Sequence, residues 1–484
     1  MDLFKKTVSL CCALCCALLC ACSSGVYTGN VPDPETVPKS QQPDEAARVP
    51  FADLTGEEIM SNFPAEDFGG YKFNIFTSAL NRFVPEEEAA GMLNPVIKER
   101  NDLLEERYNV KIAEVYCKES EFLSKLNTSV SAGRQFADAV SFSRNNISAA
   151  AASELLMNLY SVPYLQTDMA YLDSEMVRKS TIKNELYVIY EPSSLYYADL
   201  MCVAYNRKLV NEENGTVYSL VKENKWDSAA MLALAEEAAA EVMGKRSPDI
   251  ARDTFGIVSL FDRSELLHES FVSSGYALFG DTFHKEIEYN ADLATADVIA
   301  ANAANLFGSK CVMNSDPDTA AKAFREGRAA FAVCRLGFIT SLEGASLDWG
   351  LAPFPLMYPG QDGYHSCISD TACGLSVPEC QKEPSRTGKI MTLLIASSYA
   401  GPQEALLKNL MTFTLLDNAS ALVMRRVFES PVTDISLLYF EGEGRFSGLG
   451  RGTVLDAINT GKSFEELVNA NIIALRELNA LDFR

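Results

Sequence analysis

Between Tyr71 and Val140 the apolar residues switch repeatedly between the two periods that regular backbone allows. Tyr71, Phe73 and Ile75 alternate with Lys72 and Asn74, which predicts a strand ending near Ser78. Asn94-Pro95 then opens a helix, the asparagine as cap and the proline at the first helical position, where its missing N–H costs nothing. Val96, Ile97, Leu104 and Tyr108 supply that helix with a buried stripe. A second strand is expected from Val110 to Tyr116, a second helix from Ser120 to Val130 with Gly133 as its stop, and a third strand from Phe136 to Val140. Strand, helix, strand, helix, strand builds a parallel sheet covered by helices, because a parallel neighbour is reached only by a crossover long enough to hold a helix.

The alternation continues. Leu186 to Tyr190 and Leu200 to Tyr205 read as strands, Asp227 caps a long helix carrying Met231, Leu234, Ala238 and Val242, and a further helix spans Asp318 to Glu326. Apolar strands follow at Ala329 to Val333 and Gly374 to Val377, and helices run to the C-terminus. The class is α/β throughout. With 484 residues, 48% of them hydrophobic, the chain can bury two or three cores or one large two-lobed body.

The N-terminus has a separate logic. Lys5 and Lys6 precede an apolar run from Val8 to Cys22, too short to cross a bilayer as a helix and suited to a secretory signal. Its end, Leu19-Cys20-Ala21-Cys22, resembles the lipobox of bacterial lipoproteins, which implies a signal peptide over 1–21, cleavage before Cys22 and lipidation of Cys22. Residues 22–67 are then the lipidated cysteine and a flexible tether, rich in proline up to about Pro50. The remaining seven cysteines are odd in number and contain no CxxC spacing, so zinc ribbons and redox motifs are unsupported, although Cys367, Cys373 and Cys380 are close enough for one disulfide. A net charge of -23 repels phosphate backbones and argues against nucleic acid as a partner. Three histidines, and the absence of GxSxG, HExxH, GxxxxGK[ST] or a GxGxxG after a strand, argue against an enzyme.

Several segments together resemble the extracellular solute-binding proteins of bacterial ABC importers, in particular the family 1 group with its maltose- and oligosaccharide-binding members. They include Glu106-Arg107-Tyr108-Asn109-Val110-Lys111-Ile112, Leu186-Tyr187-Val188-Ile189-Tyr190, Val203-Ala204-Tyr205-Asn206-Arg207-Lys208-Leu209, Asn224-Lys225-Trp226-Asp227, Phe324-Arg325-Glu326-Gly327-Arg328-Ala329-Ala330-Phe331, Trp349-Gly350-Leu351-Ala352-Pro353-Phe354-Pro355 and Leu375-Ser376-Val377-Pro378. The resemblance implies a two-lobed periplasmic-binding-protein-like fold with crossing strands between the lobes and a ligand cleft. On that template the crossings fall near Tyr190 to Leu200, near Ala330 and near Tyr399. Lobe one takes 68–190 and 330–405, and lobe two takes 191–329 and 406–484. It further implies a monomer without cofactor or metal, held to the extracytoplasmic face of the membrane by its lipid. Such a protein captures a solute, a sugar or oligosaccharide, and delivers it to ABC permease subunits. A membrane-anchored glycan-capture or sensory protein, or a binder of non-sugar solutes, is the alternative.

Sites in open α/β folds lie beyond the carboxyl ends of strands. Thr77, Ser78, Asn81 and Arg82 follow the first strand, and Ser141, Ser143, Arg144 and Asn145 the third. Tyr196, Tyr197 and Asp199 stand at the first crossing, in a position where relatives place cleft aromatics and a carboxylate. Arg335 and Phe338 follow the Phe331 strand, where the family often sets a tryptophan. Ser78, Arg82, Arg144, Tyr196, Tyr197, Asp199, Arg335 and Phe338 are thus the expected ligand-binding residues, with Tyr364, His365 and Asp370 as lesser candidates. On this reading alanine at Arg144 or Tyr196 weakens ligand binding without lowering Tm. Trp226 and Trp349 read as packing residues, and Asn314 to Asp318 as a helix cap rather than a calcium loop.

Overall fold

The structure is a computed structural model that describes residues 56–79, 82–85, 93–169, 171–210, 216–280, 282–283, 286–343, 345–414, 418–440 and 446–480. The signal, Cys22, most of the tether, Asn81 and His284 lie outside the described residues. The tether ends earlier than expected. Gly56–Met60 forms a helical turn whose Ile59 and Met60 are fully buried, because two apolar side chains there find a helix to pack on.

Strand β1 (Tyr71–Thr77) leads through helix α1 (Leu93–Tyr108) to β2 (Val110–Tyr116), then through α2 (Glu119–Ser131) to β3 (Ala139–Ser143). Asn109 takes a left-handed backbone (φ 51°) and turns α1 straight into β2, a conformation asparagine tolerates better than most residues. β1 pairs in parallel with β2 from Tyr71↔Val110 to Thr77↔Tyr116, and with β3 from Ile75↔Ala139 to Thr77↔Ser141. Phe122 and Leu126 of α2 cover one face of this sheet, with Phe76 stacked on Phe122 at 4.5 Å.

The second sheet contains β4 (Met201–Asn206). It is joined through α3 (Ser228–Ala238) to β5 (Phe255–Ser259), and through α4 (Arg263–Val272), α5 (Leu293–Gly308) and α6 (Pro317–Arg325) to β6 (Ala329–Arg335) and β7 (Trp349–Ala352). Its order is β5-β6-β4-β7, with β5 and β6 parallel and the other pairs antiparallel. Trp226 and Trp349 are both buried here, and the Trp226 indole N–H donates to the Pro353 carbonyl at 3.0 Å. Asp316 caps α6 by accepting from the Thr319 N–H at 2.9 Å.

Strand β8 (Cys373–Ser376) returns to the first sheet, antiparallel to β3, giving the order β8-β3-β1-β2. Helix α7 (Pro384–Ser398) then buries Ile390, Met391, Leu394 and Ile395 against Phe73, Ile75 and Leu375 on the sheet's other face. Beyond it α8 (Glu404–Thr414), α9 (Asn418–Phe428), α10 (Thr453–Thr460) and α11 (Phe464–Asn479) follow, α9 against β7 and α10 and α11 against α5.

The chain therefore leaves the first sheet after Ile189, which bridges to Leu375, and enters the second at Met201. The expected passage near Ala330 is not there. β6 registers with β4 as Cys202↔Cys334 and with β5 as Ile257↔Phe331, so it is a central strand of the second sheet, and β7 stays with it. The return passage runs between Ala352 and Cys373, alongside the first one, with Leu200 bridged to Ile368. Residues 330–352 thus lie with the second sheet.

Candidate functional site

Three arginines that follow strand ends meet at the crossings. Arg82, beyond β1, donates from Nη1 to the Ser194 carbonyl at 2.6 Å and from Nη2 to Asp199 Oδ2 at 3.2 Å. The other oxygen of Asp199 accepts from the Thr371 hydroxyl at 2.8 Å, and its carbonyl accepts from the Ser369 N–H at 2.9 Å. Arg335, the last residue of β6, donates from Nε to the Ser369 hydroxyl at 2.9 Å and from Nη2 to Glu265 and Asp370. Asn145, beyond β3, donates to the second oxygen of Asp370 at 3.1 Å. Arg144 donates from Nε to the Ser369 carbonyl at 3.1 Å and from Nη2 to Glu269 Oε1 at 2.6 Å. The segment Ser369–Thr371 on the return passage is thereby tied to both sheets.

Burial sets the charges. It pushes the Glu265 carboxyl up, and the neighbouring Asp370 carboxylate pushes the same way, while Arg335 opposes both. Asp370 resists burial because the Glu265 carboxyl donates to it and the Arg335 guanidinium faces it, so its pKa is held below the usual carboxylate range. Glu269 is pushed up by burial against the pull of Arg144. Burial works against the charge of Arg82 as well, yet Asp199 and Glu114 keep its pKa raised.

Arg82, Asp199 and Arg335 are thus brought together with their edges partly open to solvent. Ser78 is half-buried beside them, its N–H on the Ser141 carbonyl at 3.2 Å. Phe338 stands apart on the 3-10 turn Leu336–Leu342, its ring 5.0 Å from the Arg325 guanidinium and 6.4 Å from Phe324. Three of the expected residues sit in packed surroundings. Tyr196 and Tyr197 are buried, stacked on each other at 4.1 Å, and Tyr197 lies flat on Phe428 at 4.2 Å, so in this conformation both faces of the pair serve packing. Arg144 is fully buried with Glu269, which makes it a tie between the lobes. The reading from sequence missed Glu265, Glu269 and Thr371. The four-residue spacing of the two glutamates on α4 puts their carboxylates on one face, a signal present in the sequence. Tyr364 is buried and donates to a main-chain carbonyl, and His365 faces Asp362 at 2.9 Å, away from the network.

Among the described residues no group of three or more His, Cys, Asp or Glu is placed to hold a metal ion, and no helix is long and apolar enough to cross a membrane. All seven described cysteines are buried thiols outside any disulfide, Cys367, Cys373 and Cys380 among them.

No curated protein matches the chain in sequence. Solved structures do match in fold. The galacto-N-biose-/lacto-N-biose I-binding protein of the ABC transporter from Bifidobacterium longum, in complex with lacto-N-biose, superposes with a TM-score of 0.55 at 12% identity, over 86% of this chain and 99% of that one. The sugar-binding protein MalE from Xanthomonas citri gives 0.53 at 13% identity, over 84% and 97%. An ABC substrate-binding protein from Listeria monocytogenes in complex with cycloalternan gives 0.51 at 12%, over 85% and 100%. These likenesses establish the two-lobed solute-binding fold. The family model for bacterial extracellular solute-binding proteins matches residues 101–399, from α1 through both sheets to the turn after α7, and the chain belongs to that family.

Proposed function

We propose that the protein captures a sugar or oligosaccharide in the cleft between its lobes and delivers it to an ABC permease, working as a monomer tethered through a lipidated Cys22 and leaving its ligand chemically unchanged. The observation that carries this is the network at the crossings. Arg82 and Asn145 from the first lobe and Arg335 from the second converge with Asp199, Asp370 and Thr371 at the carboxyl ends of β1, β3 and β6. Planar guanidinium, carboxylate and amide groups held in place by one another suit pairs of sugar hydroxyls, which need donors and acceptors at fixed angles. Groups drawn from both lobes also make affinity depend on closure, so that a permease can recognise the loaded state. The fold neighbours bound to lacto-N-biose and cycloalternan support a carbohydrate over other solutes.

The test is a thermal-shift screen of the mature chain carrying Cys22→Ser against mono- and oligosaccharides, amino acids, peptides and polyols. Ligand at a hundred times its Kd adds about 2.7 kcal/mol, worth a few degrees. Stabilisation by one sugar class, with uptake of that sugar lost on deletion and the sugar recovered intact, is expected. Stabilisation by peptides alone would remove the carbohydrate assignment. Sugar binding with uptake intact would move the protein to a capture or sensory role.

A further inference from the structure

Two cysteines far apart in sequence meet at the centre of the second sheet. β4 and β6 are its inner strands, and their antiparallel register sets Cys202 directly opposite Cys334, 132 positions away. Opposed residues of an antiparallel pair project to the same face. The two sulfurs are 3.9 Å apart, and neither residue is exposed. Two positions along the ladder the Leu336 N–H donates to the Leu200 carbonyl at 2.8 Å. Hydrogen-bonded and non-bonded pairs alternate along such a ladder, so Cys202 and Cys334 form a hydrogen-bonded pair, with Cα atoms about 5.5 Å apart. A disulfide spans about 4.4–6.8 Å between Cα atoms, so the strands need neither separate nor slide to accept one. Only the sulfurs have to move, closer by about 2 Å, to reach bonding distance.

Other thiols of the chain are engaged with main-chain carbonyls. Cys117 and Cys367 donate to the carbonyls of Lys118 and Ile368 at 3.3 Å, and Cys373 to that of Thr371 at 3.5 Å. Cys202 and Cys334 instead face each other. The chain between them carries β5 and helices α3 to α6, so a bond here closes a loop over most of the second sheet and its helices. Cross-links across long loops restrict the unfolded chain most, and they persist where the surroundings are oxidising.

We propose that Cys202 and Cys334 are a disulfide site, oxidised by a disulfide-bearing oxidant outside the cytoplasm. The thiolate of one cysteine attacks a sulfur of the oxidant's disulfide and expels the first oxidant thiolate; the other cysteine attacks the mixed disulfide and expels the second. One S–S bond forms as one breaks, two electrons pass to the oxidant, and the two cysteine protons end on its two thiols. In the finished fold the facing Cys334 and then burial raise the Cys202 pKa well above its ordinary value, and no oxidant reaches a fully buried sulfur. The exchange therefore belongs to the stage before the helices cover the sheet. The assignment rests on the extracytoplasmic placement above, which supplies the oxidant, and adds a covalent tie within the second lobe.

The test unfolds and reduces the mature chain carrying Cys22→Ser, refolds it in mixed oxidised and reduced glutathione, and counts its thiols in denaturant. Five of its seven thiols should remain, the mass should fall by two hydrogens, and peptide mapping should join Cys202 to Cys334. Cys202→Ala and Cys334→Ala should each keep all six of their thiols, whereas Cys311→Ala keeps four of six. Reductant should lower the Tm of the oxidised chain by several degrees and leave that of Cys202→Ala and Cys334→Ala in place. The chain collected from cells that export it through its own signal should give the same count. Seven thiols after refolding, or a bond joining another pair, overturns the assignment and leaves two packed thiols. Retention of the full chain inside the cell instead overturns the extracytoplasmic reading, and the count after refolding in glutathione still decides the disulfide.

Discussion

The guanidinium of Arg144, one residue past the end of β3 in the first lobe, lies 2.6 Å from the carboxylate of Glu269 on α4 in the second, and neither side chain is exposed to solvent. Arg144 also holds the Ser369 carbonyl, so one residue joins the first sheet, the return passage and the second lobe. A charge pair that dry is costly to form and more costly to halve.

Arg144→Met should therefore destabilise the unliganded protein by about 3–5 kcal/mol, because Glu269 is left buried without its partner. Glu269→Met should cost a similar amount, and the double variant less than either single one, since two apolar side chains of similar length fill the site without a stranded charge. Urea unfolding of the four proteins measures the coupling. Strict additivity would mean that the pair does not act as a unit.

Tyr197→Ala should lower Tm for a different reason. Its ring lies 10° from parallel with Phe428 at 4.2 Å, and Phe428 belongs to α9, so the contact fastens the C-terminal helices to the first crossing. Removing a buried aromatic side chain costs about 3–5 kcal/mol. Differential scanning calorimetry without ligand checks this, and an unchanged Tm would return Tyr197 to the list of cleft residues.

Local periodicity made β1 and β2 legible, because a half-buried strand or an amphipathic helix writes its burial into the spacing of its own residues, whereas β3, expected from Phe136 to Val140, runs from Ala139 to Ser143. It could not say which sheet β6 joins. Ala329 to Val333 would be equally apolar in either, and only the register Cys202↔Cys334, set by residues far away in sequence, decides the matter. The polar network at the crossings was legible to the same extent. Positions after strand ends led to Arg82, Arg144 and Arg335, whereas their partners Glu265, Glu269 and Thr371 sit on other elements, and the spacing that puts the two glutamates on one helix face does not say what that face meets. The stack of Tyr196 and Tyr197 was not legible, because aromatic side chains suit a sugar face and a buried stack equally well.

Gly374→Ala should loosen the junction between the crossing and the first sheet. A Cβ at Gly374 would stand 2.2 Å from Val188 Cγ2 and 3.2 Å from the Ile189 carbonyl, so the first passage lies directly on β8 because no side chain intervenes. Overpacking of this kind costs about 1–3 kcal/mol. Hydrogen exchange of the Ile189 and Leu375 amides, which bond to each other's carbonyls at 2.9 and 2.8 Å, should quicken in the variant. Unaltered protection would show that Val188 moves aside at no cost.

The pH dependence of stability should carry the mark of Glu191, fully buried at the start of the first crossing. Its Oε2 accepts from the Ser193 N–H at 2.7 Å and from the Ser193 hydroxyl at 2.6 Å. Burial nevertheless outweighs those donors and the Arg100 guanidinium, and lifts the pKa from 4.5 to about 7. Between those two values the unfolded chain releases a proton that the folded chain keeps, so this group's stabilising contribution is complete below pH 4.5 and is lost as the pH rises through 7. A shift of that size is worth about 3 kcal/mol. Glu191→Gln removes the titration, so the stability of the variant relative to wild type should improve by about that amount from pH 4.5 to pH 8. Urea midpoints of the two proteins measured side by side across this range give the difference directly. A difference that stays flat would mean that Glu191 is already ionised in the folded protein at pH 4.5, and that Ser193 and Arg100 outweigh its burial.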